Sequence, residues 1–254
     1  MTTTPILVTG GTGTLGSHVV PLLRRAGHEV RVLTRHTREA TDGVSYVACD
    51  LLADEGIDAA LDGARTVLHL AGSNKGDDVA TRHLAAAARR TGVRHLVHIS
   101  VIGADAIPLG YFRAKHAAEQ AVAGSGVPWT VLRAAQFHDL ALTVARAMAK
   151  LPVVPGPGGI RWEPVDAREV AARLVDLALA EPAGRVPDLA GPTVHRMDEL
   201  VRSYLAATGR RRPVLPVRVP GRMGAAYRAG ANLAPESADR GRLTWESFLA
   251  ERVR

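Results

Sequence analysis

Tyr111 and Lys115, in the run Tyr111-Phe-Arg-Ala-Lys115, stand four residues apart in a stretch that reads as helix. That spacing places a phenol and an ammonium on one helix face, one turn apart. An ammonium beside a phenol favours phenolate and lowers its pKa from about 10, readying the hydroxyl for proton transfer near neutrality. Ser100, 11 residues before Tyr111, ends an apolar strand-like run and offers a hydroxyl to a substrate carbonyl. Lys115 has a second use, holding the hydroxyls of a ribose. A proton donor, a cation to tune it and an orienting hydroxyl suit the protonation of a developing oxyanion.

A second run, PILVTGGTGTLG at residues 5–16, is suited to binding rather than to proton transfer. Its glycines recur as Gly10-x-x-Gly13-x-x-Gly16, with Thr12, Thr14 and Leu15 between them. An apolar strand here breaks into a tight turn and then a helix N-terminus. Unpaired N–H groups and about half a unit of positive dipole charge face whatever lies at that turn. Small residues let a diphosphate approach the backbone, and the last glycine lets the helix pack on its strand. The pattern predicts a dinucleotide site.

The next strand-like run ends Arg31-Val-Leu-Thr-Arg35, 18–19 residues beyond Gly16. An NAD-selective site usually places a carboxylate there for the ribose hydroxyls. Thr34 and Arg35 fill the slot instead, and a guanidinium grips a ribose 2′-phosphate through paired hydrogen bonds. The expected cofactor is therefore NADP(H). Asp50 and Leu51 follow the third strand, where a carboxylate or the adjacent backbone N–H reaches an adenine ring. A turn cap is the equal alternative for Asp50. Ala71 and Gly72 end the fourth strand, and their small size lets a ribose lie against the backbone. Asn74 and Lys75, just beyond, read as solvated loop residues.

These residues need a frame. Strand-like runs at 5–9, 29–34, 44–48, 65–70, 94–100 and 129–133 alternate with helical stretches at about 14–26, 54–62, 77–91 and 111–124. Several strands are nearly continuous in apolar residues, as parallel strands covered on both faces are. The alternation predicts an α/β, Rossmann-type doubly wound parallel sheet. After about Lys150 the texture changes. LPVVPGPGG reads as a loop, followed by a strand at 160–165 and helices near 167–180, 197–208, 219–231 and 244–250. Expected boundaries are a cofactor-binding core over 1–150 and a small, mostly helical substrate-covering region over 151–254, packed as one structural unit.

Composition narrows the function classes. The chain has 254 residues with 46% hydrophobic content, 32 Lys+Arg against 25 Asp+Glu, and one cysteine, Cys49. One cysteine excludes a disulfide framework and a cysteine-based zinc site, and suits a reducing cytoplasm. No apolar run reaches the length of a membrane span, so no membrane association is expected. Dispersed arginines and a 4% aromatic share argue against nucleic acid as a partner. The expected partner is a small-molecule substrate, the expected site contains no metal, and the expected state is monomer or homodimer.

Gln136, Phe137 and His138 follow the sixth strand, where substrate would lie beside a nicotinamide. His138 is either a proton donor near neutrality or a loop histidine without a catalytic role. Trp162 either lines the pocket or packs in the core. Asp166 directly precedes a helical run and reads as its N-cap. His95 and His98, three apart on a strand, face opposite ways and form no metal pair. The apolar Val214, Leu215, Val217 and Val219 suit a pocket for an apolar substrate.

TGGTGTLG, the strand end VLTR, the HIS strand end, YFRAKHAAEQAVAGSGVPWTVLR, PVDAREVA and TWESFLA together resemble the short-chain dehydrogenase/reductase superfamily, in its atypical NmrA-like branch. The resemblance covers nearly the whole chain. It implies a Rossmann fold, NADP(H) and a small C-terminal lobe over the active site. It also implies cofactor roles for Gly10, Gly13, Gly16 and Arg35, and places Tyr111 and Lys115 at the nicotinamide end. One departure is that relatives carry the serine somewhat further ahead of the tyrosine. The implied activity is NADPH-dependent reduction of a small, largely apolar carbonyl, quinone or conjugated compound. Two alternatives stand beside it: an NADP(H)-binding regulator without turnover, and a sugar-nucleotide epimerase.

Overall fold

The computed structural model describes residues 4–36, 38–72 and 76–253; Asn74 and Lys75 lie outside them. Strands and helices alternate through the first half as β1 (Ile6–Thr9), α1 (Gly16–Arg25), β2 (Val30–Thr34), β3 (Val44–Ala48), α2 (Ile57–Leu61) and β4 (Thr66–His69). Then come α3 (Asp77–Arg90), β5 (His95–Val101), α4 (Gly110–Ala123) and β6 (Trp129–Ala134). The remainder holds α5 (His138–Met148), β7 (Val154–Pro157), β8 (Arg161–Trp162), α6 (Ala167–Leu179), β9 (Gly184–Arg185) and β10 (Leu189–Ala190). It closes with β11 (His195–Arg196), α7 (Met197–Ala207), β12 (Val214–Val217), α8 (Gly221–Arg228), β13 (Asp239–Arg240) and α9 (Trp245–Arg252).

The main sheet runs β13-β10-β6-β5-β4-β1-β2-β3, with β9 beside β6. β1 pairs in parallel with both β2 and β4, and β2–β3 and β4–β5 are parallel too. Every residue of β1 and of β5 is buried, which explains their lack of polar alternation. The chain winds outward from β1 through β2 to β3, then resumes on the other side of β1 with β4, β5 and β6. This is the doubly wound, Rossmann-like α/β fold that the alternation predicts. Its order reverses between β1 and β4, and the carboxyl ends of the strands at such a switch point open the crevice where ligands bind.

Two compact units interleave along the chain. One comprises the chain up to Ser100, Arg113–Leu132 and Val170–Val186. Its core contains Leu7, Leu61, Val67, Leu84 and Leu96, all fully buried. Each such side chain contributes about 1.5–3 kcal/mol on leaving water. The other comprises Val101–Phe112, Arg133–Glu169 and the chain from Pro187 onward. Trp162, Tyr204, Trp245 and Phe248 dominate its core. Trp245 satisfies its indole by donating to Ser203 Oγ at 2.7 Å.

One element departs from the sequence reading. LPVVPGPGG is not wholly loop, because Val154–Pro157 forms β7 and pairs in parallel with β12. The ladder uses N–H groups that the prolines do not need to supply: Val154 N–H donates to Pro213 O and Gly158 N–H to Val217 O. A proline is tolerated in a strand whose N–H side is unpaired. Val214, Leu215 and Val217 accordingly belong to β12, and Leu215 and Val217 are about half exposed rather than enclosed in a pocket. Among the described residues, no helix is long and apolar enough to cross a membrane.

Candidate active site

The glycine turn between β1 and α1 shows what each glycine is for. A Cβ on Gly16 would lie 2.4 Å from both Gly10 O and Gly11 Cα, so no side chain fits where α1 meets its own turn. Gly10 has φ +67°, and a Cβ there would meet Ala71 N at 2.7 Å, at the end of β4. Gly13 differs. It is exposed, and its nearest hypothetical contact is Gly10 O at 3.3 Å. Packing forces glycine at 10 and 16, whereas at 13 the open face is available to a ligand. Thr12 and Thr14 flank Gly13 and are exposed with it, while Leu15 is buried and anchors the start of α1. No side chain caps α1 and its first turn holds no acidic residue, so its N–H groups and dipole remain available to an anion. The cradle fits a dinucleotide diphosphate.

At the end of β2, Arg35 is exposed. The Thr34 hydroxyl accepts from His36 N–H at 3.2 Å and so shapes the turn that carries it. Asp50 uses its Oδ1 locally, accepting from Leu52 N–H at 2.8 Å and Ala53 N–H at 3.2 Å. That is the turn cap of the two roles left open. Leu51 packs against the core, and its carbonyl is 2.9 Å from His83 Nδ1.

The corner at the end of β4 is the most organised part of the site. Thr9 Oγ1, at the end of β1, accepts from Leu70 N–H at 3.2 Å and Ala71 N–H at 3.0 Å. Its own proton is then directed at His69 Nδ1, 2.7 Å away. His69 must therefore carry its hydrogen on Nε2, which lies 3.0 Å from Thr81 Oγ1. Thr81 in turn donates to the Asp77 carbonyl at 2.7 Å. The network thus specifies a neutral imidazole. Burial, and then the charge of Lys115, agree with it, pushing His69 from its ordinary 6.5 down to about 3. His98 stacks on this ring with centroids 5.0 Å apart, and burial pushes it well below its ordinary value as well.

Lys115 lies beside this strut. Its Nζ is 3.0 Å from Asp77 Oδ2, with both side chains more than nine-tenths buried. The contact is one of charge rather than a directed hydrogen bond, since Asp77 Oδ2 makes none among the described residues. Gly72 is exposed, and a Cβ on it would lie 3.0 Å from Lys115 Nζ. The ammonium therefore sits directly behind Gly72, at the carboxyl end of β4. Ala71, next to it, is fixed by its bond to Thr9. Ser100, near the end of neighbouring β5, keeps its Oγ buried without a hydrogen-bond partner among the described residues. Tyr111 opens α4 one turn before Lys115, is 37% exposed, and meets the Phe112 ring edge-on.

The candidates after β6 lie apart from that cluster in character. Gln136 is buried with its Oε1 unpaired among the described residues, and Phe137 is half-buried at the start of α5. His138 is fully buried against Trp245 and Phe248, with Nδ1 3.7 Å from Asp166 Oδ2. Trp162 belongs to the same aromatic core. Asp166 caps α6 by accepting from Arg168 N–H at 2.8 Å. Burial works to raise its carboxyl, but the Arg168 fork and His138 outweigh that and hold it below the usual carboxylate range.

A family model described as NAD(P)H-binding matches residues 10–180 of the chain. The chain belongs to this NAD(P)H-binding family. It is 32% identical to an NAD(P)H azoreductase of Xenophilus azovorans over 219 residues, 81% of this chain and 74% of the relative. It is 26% identical to quinone oxidoreductase 2 of Escherichia coli over 216 residues, 81% of this chain and 75% of the relative. The crystal structure of the Escherichia coli NADPH-dependent quinone oxidoreductase complexed with NADPH covers 98% of this chain and all of its own, with a TM-score of 0.84 at 19% identity.

Sequence reasoning missed Thr9, His69, Thr81 and above all Asp77 in this NAD(P)H-binding protein. A signal was present. Asp77, Thr81, Leu84 and Ala88 share the buried face of α3, and a carboxylate on an apolar helix face needs a partner.

Proposed function

We propose that this NAD(P)H-dependent oxidoreductase takes its hydride from NADPH and reduces a small, largely apolar quinone, azo compound or conjugated carbonyl. The observation that carries this reading is the corner at the switch point, where Lys115 is held behind exposed Gly72 at the end of β4. That strand neighbours β1, which leads into the glycine turn. A dinucleotide with its diphosphate over Gly13 would bring its nicotinamide ribose toward this corner. Arg35, exposed at the end of β2, is the group for a 2′-phosphate and selects NADPH over NADH.

The cofactor supplies the hydride; the chain supplies position and protons. Lys115 donates hydrogen bonds to the ribose hydroxyls. Ser100 Oγ, buried and without a hydrogen-bond partner among the described residues, donates to the substrate atom on which negative charge develops. Tyr111 is the proton donor of this reading. The azoreductase and quinone oxidoreductase relatives support the substrate class. Tyr111→Phe tests the chemistry: kcat for NADPH-dependent reduction should fall by roughly 10²–10⁴, with NADPH affinity unchanged. Unaltered turnover would remove Tyr111 from the mechanism and leave the proton to solvent.

A further inference from the structure

We infer that Asp77 is a positioning residue for the cofactor, acting through Lys115, an inference that rests on the reading of Lys115 as the ribose-binding group. A lysine side chain has four rotatable bonds, and its ammonium is strongly hydrated. Burying that group without a counter-charge is costly and gives it no fixed position. Here the ammonium is 3.0 Å from Asp77 Oδ2, and the pair lies beside exposed Gly72, where a Cβ would meet Lys115 Nζ at 3.0 Å and Asp77 Oδ1 at 3.7 Å. The ammonium is thus held in place by a carboxylate's charge, and its three N–H groups include donors for a ligand hydroxyl at Gly72.

Asp77 is itself held. It begins α3, where its carbonyl accepts from Thr81, and Thr81 Oγ1 accepts from His69 Nε2–H. His69 Nδ1 accepts from Thr9, the last residue of β1 and the one before Gly10. Thr9–His69–Thr81 is therefore a strut that ties the start of α3 to the root of the glycine turn. It sets the distance between the diphosphate end of the site and the ammonium at the other end. The imidazole suits this place because, in its neutral form, it accepts on one nitrogen and donates from the other across the gap between β1 and α3.

The test is direct binding of NADPH, followed by fluorescence, for the wild type and for Asp77→Asn, Lys115→Met and the double variant. Asp77→Asn should bind NADPH about ten- to a hundredfold more weakly. An affinity equal to that of the wild type would overturn the inference. In the Lys115→Met background, Asp77→Asn should cost no further affinity, because Asp77 acts only through the lysine. This comparison decides the matter if Asp77→Asn alone fails to fold, since removing both charges leaves no unpaired ion. A further loss in the double variant would overturn the inference. Wild-type protein that binds no NADPH would overturn the proposed function itself, and this inference with it.

Discussion

At the scale of single residues, the candidate site holds one charge that is exposed and another that is buried and paired. Arg35 is exposed at the end of β2, whereas Lys115 is buried and paired with Asp77. Only a guanidinium of the first kind discriminates between cofactors by meeting an extra phosphate. Arg35→Ala should weaken NADPH binding by roughly tenfold, the worth of a charge-assisted contact of about 1.4 kcal/mol. NADH binding should hardly change. Fluorescence titration with both nucleotides checks this, and equal losses for the two would remove Arg35 from the 2′-phosphate. At this scale the sequence offers candidates wherever spacing is local. Tyr111 and Lys115 are linked by local spacing, and Arg35 by its distance from the glycines. Asp77 was not legible, because its partner lies far along the chain on another helix and only the fold brings the two together. Asp50 shows the converse: its local turn satisfies Oδ1, so proximity to a strand end says little about a ligand.

At the scale of elements, the strand–turn–helix at β1 and α1 separates fold from function within one motif. Gly16→Ala puts a methyl group 2.4 Å from the backbone of the turn. It should destabilise the protein by about 1–3 kcal/mol or more through overpacking. Gly13→Ala meets only Gly10 O at 3.3 Å and should leave the melting temperature nearly unchanged. It should nonetheless weaken NADPH binding, because the methyl group occupies the space of the diphosphate. Thermal melts and NADPH titrations of the two variants give the comparison; a large stability loss in Gly13→Ala would mean that this glycine, too, serves packing. The strands and helices of the first half were readable because continuous apolar runs and 3.6-residue periodicity persist there. β7 was not, since Pro155 and Pro157 argue against a strand until a partner that needs none of their N–H groups is known. His138 and Trp162 were ambiguous for a similar reason: the aromatic core that holds them is assembled from α7 and α9, much later in the chain.

At the scale of the whole molecule, the buried histidines tie stability to pH. Burial first, and then Lys115, hold His69 down to about 3, and burial holds His98 well below its ordinary 6.5. As pH falls from about 6.5 toward about 3, the unfolded chain takes up protons on both rings while the folded chain does not. The stability they contribute is thus fully present above about pH 6.5 and declines below it. The slope is at most about 1.4 kcal/mol per pH unit for each histidine. Urea midpoints should therefore drop between about pH 7 and about pH 5, and His69→Gln should flatten part of that fall. A wild-type midpoint that is constant over this range would contradict the neutral, buried assignment.

The central claim is that the switch-point crevice binds NADPH and passes its hydride to an apolar acceptor. It is tested most directly by following NADPH oxidation by the purified wild-type protein against a panel of quinones and azo compounds, with NADH in parallel. The account predicts turnover with at least one acceptor, at a kcat/KM for NADPH well above that for NADH. Tight NADPH binding without oxidation by any acceptor would contradict it and leave a cofactor-binding protein that does no chemistry.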